Sequence, residues 1–152
     1  MPQQLSAQDP LDHAREAERL GVDHLVGDDV RLAAVAAVTT KIGLVVAVDP
    51  DTTQPYEVAR RVATLHHLSG GRAGWQVGPS EDPLRRREFI EAVRTLWNSW
   101  DAEDLPADRD TGTFVRSGAG EFAYEGALLT LSGRFVTPRP PQGHPALIEE
   151  SA

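Results

Sequence analysis

The chain has 152 residues, a formal net charge of −8 at pH 7 and no cysteine. Lacking thiols, it can form no disulfide, thiolate nucleophile or Cys-based metal site, a composition that fits the cytoplasm. The charge opposes a phosphate backbone and the longest apolar run, residues 42–48, is too short for a bilayer, so neither nucleic acid nor membrane is an expected partner.

The opening MPQQLSAQDP has no basic and apolar segments of a secretory leader. Asp9-Pro10 then signals a helix start, and Leu11, Ala14, Ala17 and Leu20 recur at helical spacing before Gly21. Residues 22–26 read as a strand, closed by Gly27-Asp28-Asp29. An Ala-rich helix is expected over 30–40. The seven-residue run 42–48, apolar apart from Gly43, has the continuous pattern of a strand buried on both faces.

Asp49-Pro50-Asp51 is a loop, because proline removes a ladder donor. Gln54-Pro55 reopens a helix with Val58, Val62 and Leu65 on one stripe, ending at Leu68-Ser69-Gly70-Gly71. Residues 73–77 form a third strand, and Asp82-Pro83 starts an amphipathic helix carrying Phe89, Val93, Leu96, Trp97 and Trp100. Arg85-Arg86-Arg87, set among Glu81, Asp82, Glu88 and Glu91, reads as a solvated, ion-paired face. Residues 101–120 lack periodicity and read as a surface loop or partly disordered insertion. A hairpin is expected from 121–124 and 128–131, then a stiff Pro138-Arg139-Pro140-Pro141 connector and a last strand at 146–148.

Alternating helices and buried strands predict an α/β fold with a parallel sheet and right-handed crossovers. Four such strands are about half of an eight-stranded β/α barrel, which takes about 250 residues. One partial barrel domain over 1–152 is expected, with 121–131 as a hairpin insertion. A half-barrel has two open sheet edges, and these predict self-association.

The segments LAAVAAVTTKIGLVV, QPYEVARRVATLHHLSGGRAGWQV and REFIEAVRTLWNSWD, spanning residues 32–101, resemble the luciferase-like flavin-dependent monooxygenases. The group nearest in pattern contains the nitrilotriacetate and dibenzothiophene-sulfone monooxygenases. AREAERLGVDHLVGDD and VTPRPPQGHPALI extend the resemblance to most of the chain. It implies a TIM-barrel-like fold and a site for reduced FMN at the C-terminal ends of the strands. It also implies a flavin reductase as partner and oxidation of a small organic substrate with O2. On that resemblance Asp28, Ala47, Trp75, Gln76 and Ser80 are the candidate flavin-side residues, within or beside the windows 28–29, 47–51 and 76–80. No residue is assigned to catalysis and no metal is expected.

The sequence departs from the family pattern in three places. Ala47 and Asp49-Pro50-Asp51 replace a Thr-rich stretch, Gln76-Val77-Gly78-Pro79-Ser80 replaces an Asn and Val-Thr-Ser ending, and Glu149-Glu150 stand where an Ala-Gly turn is usual. The first barrel strand is expected to be missing. These departures support a second reading, a non-catalytic half-barrel for interaction, or a flavin-binding protein without turnover.

Several candidates have plainer alternatives. Asp29 can simply cap the helix starting at Val30. His66 and His67, adjacent on a helix, point apart and suit the helix C-terminus rather than a metal. Ser69-Gly70-Gly71-Arg72 runs from helix to strand, opposite to a phosphate loop, and reads as a structural turn. Trp75 can be core, and nothing decides whether His24 faces core or pocket.

Overall fold

The computed structural model describes residues 1–148; Glu149-Glu150 and the last two residues lie outside it. Five strands form one parallel sheet: β1 (Pro2–Gln4), β2 (His24–Gly27), β3 (Gly43–Val48), β4 (Ala73–Val77) and, across the hairpin, β7 (Ala146–Leu147). Helices α1 (Pro10–Arg19), α2 (Asp29–Ala36) and α3 (Pro55–Leu68) connect the first four strands in turn. Helix α4 (Pro83–Asn98) and the antiparallel hairpin β5 (Glu121–Glu125) and β6 (Thr130–Arg134) precede β7. Among the described residues the sheet does not close. It is an open arc of parallel βα units, a partial barrel.

The expected absence of a first strand is corrected. Pro2, Gln3 and Gln4 pair in parallel register with His24, Leu25 and Val26. The strand has no apolar residue beyond its proline and all three positions are exposed, so only pairing with β2 defines it.

The core lies on the helix-facing side of the sheet. Leu25, Leu44, Val46, Val48, Trp75 and Val77 meet Leu32, Val35, Val62, Leu65, Phe89, Val93 and Leu96 there, all buried. Burying each such side chain contributes about 1.5–3 kcal/mol. Alternate residues Val26, Val45, Ala47, Gly74 and Gln76 face the concave side. Small residues let that side curl: a Cβ on Gly43 would come within 2.9 Å of the His24 Cβ, and one on Gly74 within 3.4 Å of Ile148.

Helix α2 ends four residues before the expected position. Arg72 explains this, because its guanidinium donates to the carbonyls of Ala36, Thr39 and Ile42 at 3.1, 3.0 and 2.8 Å. The same side chain also donates to Ser69 O at 2.8 Å, and the preceding Gly70 and Gly71 take φ of 67° and 92°. The Ser69–Arg72 turn is therefore a structural clamp that satisfies the helix-end carbonyls.

Residues 101–120 form a loop without helix or strand, held by local contacts such as Arg116 N to Asp104 O at 2.8 Å. The hairpin's second strand starts two residues later than its sequence pattern suggests. Its turn is shaped by Glu88, a buried carboxylate on α4 that accepts the N–H groups of Ala127, Leu128 and Leu129 at 2.7, 2.8 and 3.0 Å. Burial raises the Glu88 carboxyl's affinity for a proton, but these three donors together hold it below its ordinary range. Tyr124 adds a second tie, donating to Glu91 at 2.9 Å; burial and this bond push its phenol up to about 12.

Candidate functional site

The loops after β3 and β4 stand side by side because the strands that launch them pair in register, Ala47 with Gln76 and Val48 with Val77. Asp49 folds the first loop by accepting Asp51 N–H and the Thr52 hydroxyl, both at 2.9 Å. The backbone bond, and then the hydroxyl, lower its carboxyl below the usual range.

Asp51 ties that loop to the next one. Its Oδ1 accepts the Ser80 hydroxyl at 2.6 Å and lies 3.4 Å from Arg85 Nε, while Oδ2 accepts Glu81 N–H at 3.3 Å. Arg85 also donates to Pro50 O, and Arg86 donates to Val77 O and Gly78 O, each at 3.1 Å. Two of the three arginines are thus engaged in building the mouth of the arc, not in a solvated face. Only Arg87 matches that expectation, with Glu91 at 3.8 Å. The reaching contacts cross from helix to loop, where sequence spacing gives no signal.

Between these loops and β1 lies a cleft of about 490 Å³ at the C-terminal ends of the strands. Val26, Ala47, Val48, Gly78 and Pro79 give it an apolar lining; Gln4 and Gln76 add amides, and Asp49 and Asp51 form its rim. Such a size and mixture suit a small organic ligand. Among the described residues lining it there is no cation.

The sequence candidates divide in the structure. Ala47 and Gln76 line the cleft as adjacent cross-strand partners. Ser80 stands beside it with its hydroxyl engaged by Asp51. Asp28, not Asp29, caps α2 by accepting Arg31 N–H at 3.0 Å, and it does not line the cleft. Trp75 is corrected: it is fully buried on the helix side, packed edge-on against Trp97 at 5.3 Å. The period of two along β4 puts it on the face opposite Gln76. Gln4 and Val26 were missed, Gln4 because its strand has no apolar pattern.

The histidines lie elsewhere. His66 is buried under β4 and donates from Nδ1 to Ala73 O at 3.1 Å, whereas His67 is exposed and bonds Pro138 O at 2.9 Å. Among the described residues no group of three or more His, Asp or Glu is arranged to hold a metal, and no helix is long and apolar enough to cross a membrane.

Known proteins share this arrangement. The sequence profile described as luciferase-like monooxygenase matches residues 1–149. N-acetyl-S-(2-succino)cysteine monooxygenase of Bacillus subtilis is 34% identical over 137 residues, covering 78% of this chain and 31% of that protein. Dibenzothiophene-sulfone monooxygenase of Rhodococcus erythropolis is 35% identical over 137 residues, covering 78% of this chain and 30% of the relative. The chain thus spans less than a third of the length of these two relatives. In fold it matches the EDTA monooxygenase of Chelativorans sp. BNC1 with a TM-score of 0.79 at 21% identity, over 99% of this chain and 48% of that one. The open arc of parallel βα units, its mouth cleft and the matched profile together show that the chain belongs to the luciferase-like monooxygenase family.

Proposed function

We propose that the mouth cleft receives the ring system of reduced FMN, and that the protein serves a flavin-dependent monooxygenase reaction on a small organic substrate. The observation that carries this reading is the pairing of Ala47 with Gln76 at the C-terminal strand ends, inside an apolar cleft of about 490 Å³. Reduced FMN, when bound, supplies the oxygen chemistry of the family, and a flavin reductase supplies the reduced cofactor. Ala47 leaves room for a flat ring, and the Gln76 amide offers both a donor and an acceptor to its polar edge. Val26 and Pro79 keep water from that surface.

The described residues fit the ring but not the phosphate. The lining has no cation, and Asp49 and Asp51 stand at the rim, where they repel a dianion. Arg85 and Arg86 are already engaged by loop carbonyls and by Asp51.

An anaerobic titration with reduced FMN tests this. Binding at micromolar Kd or tighter is expected, with riboflavin within about threefold, since a charge-assisted hydrogen bond to phosphate would separate them by about tenfold or more. Gln76→Leu should weaken binding about tenfold, the scale of one lost hydrogen bond. No binding at millimolar flavin would overturn the reading and favour the interaction module.

The proposed unit is a single partial barrel domain in the cytoplasm. Among the described residues β1 and β7 are the edge strands of the sheet, and we propose that they drive self-association. Light scattering should give a mass above 16.5 kDa; a monomer at all concentrations would exclude it.

A further inference from the structure

Beyond the mouth cleft, a cluster of imidazoles lies at the opposite end of the sheet, where residues 138–148 return to form β7. Within the described residues Ala146 and Leu147 pair with Gly74 and Trp75, Ile148 N–H donates to Trp75 O at 2.8 Å, and two histidines stand beside this pairing.

His144 donates from Nε2 to Asn98 Oδ1 at 3.0 Å and stacks on Trp97, with ring centres 6.0 Å apart and planes 17° from parallel. His66, 4% exposed, donates from Nδ1 to the Ala73 carbonyl that begins β4. A carbonyl or amide oxygen only accepts, so each ring donates an N–H there, and in the neutral ring this is its single N–H. The remaining ring nitrogens, His66 Nε2 and His144 Nδ1, are buried and have no hydrogen-bond partner among the described residues. A second proton on His66 would create a buried cation, and one on half-buried His144 a buried N–H, each facing no acceptor among those residues, a costly state.

We propose that His66 and His144 form an acid-sensitive latch that keeps β7 on the edge of β4 at neutral pH and releases it when the rings take up a second proton.

The charged surroundings point the same way. Arg139 and His66 face His144, and His67 faces His66. Asp23, His24 and Arg72 line the cleft that both histidines border. Asp23 is the anion among these, and it is already paired with the N-terminal amine. Burial, and next the Arg139 charge, push His144 below the ordinary imidazole range. Burial does the same to His66, against the opposing pull of its Ala73 bond.

The sign follows. A folded-state value below the unfolded one means that the released state binds more protons, so docking weakens as pH falls. The loss begins near pH ~6.5, the ordinary imidazole value, and continues down through the folded value. Above it docking is independent of these groups.

Amide hydrogen exchange over residues 146–148 and β4, corrected for the intrinsic rate, tests the latch. Between about pH 7.5 and 5.5 exchange should accelerate severalfold as the imidazoles take up protons. The double variant His66→Gln/His144→Gln should exchange at the same corrected rate at both pH values. Equal rates in the wild type, or undiminished acceleration in a folded double variant, would overturn the proposal. An NMR titration of the wild-type histidines gives an answer independent of the variants. Two imidazoles titrating below the ordinary value, in step with the exchange, support the latch, and titration of both at or above it does not.

Discussion

Trp75→Ala is expected to lower the melting temperature by about 10 °C or more. Trp75 is fully buried at the centre of β4, between Leu147 on the paired strand and Trp97 on α4. Removing a buried Trp leaves a cavity and costs about 3–5 kcal/mol. In a domain of this size each kcal/mol shifts the transition by about 2–4 °C. Calorimetry on the purified protein measures it, and a shift below about 3 °C would contradict the packing described. Trp75→Phe separates structure from site. It should keep flavin affinity, because the side chain lies on the face opposite Gln76, whereas a flavin-contacting Trp75 would show a loss.

Gly120→Ala should cost about 3 kcal/mol, the upper part of the range for overpacking a tight site. Gly120 has φ of 81°, and a Cβ there would lie 2.3 Å from Phe135 O and 2.8 Å from Trp100 Nε1. Those two groups hydrogen-bond each other at 2.8 Å, and Phe135 N–H donates to Gly120 O at 2.7 Å. The added methyl would therefore part the hairpin from the end of α4. Gly118→Ala is the control: φ is 83°, but nothing lies within 4 Å of the new Cβ. It should show backbone strain alone, about 1 kcal/mol. Denaturant melts of the pair distinguish the two effects, and equal losses would mean that the hairpin contact is not tight.

The difference between these two glycines shows where sequence reasoning stops. Both stand in the same aperiodic stretch, and only the return of Phe135 makes one of them irreplaceable. Glu88 makes the same point. On α4 it looks like one acidic residue in a charged run, yet it is buried and gathers three N–H groups from a turn about forty residues away.

The sequence by itself determined the alternation of buried strands and amphipathic helices, hence the parallel partial barrel, and through PYEVARRVATLHHLSGGRAGW the family. The family resemblance also singled out Ala47 and Gln76, which stand together as cross-strand partners in the cleft. Tertiary structure alone decided the rest. It made Pro2, Gln3 and Gln4 into β1, turned Trp75 away from the cleft, engaged Ser80 through Asp51, and set Arg85 and Arg86 on loop carbonyls. The physical reason is range. Hydrophobic period is a local signal carried by neighbours in the chain, whereas hydrogen bonds across tens of residues depend on which backbone groups the fold leaves without a partner.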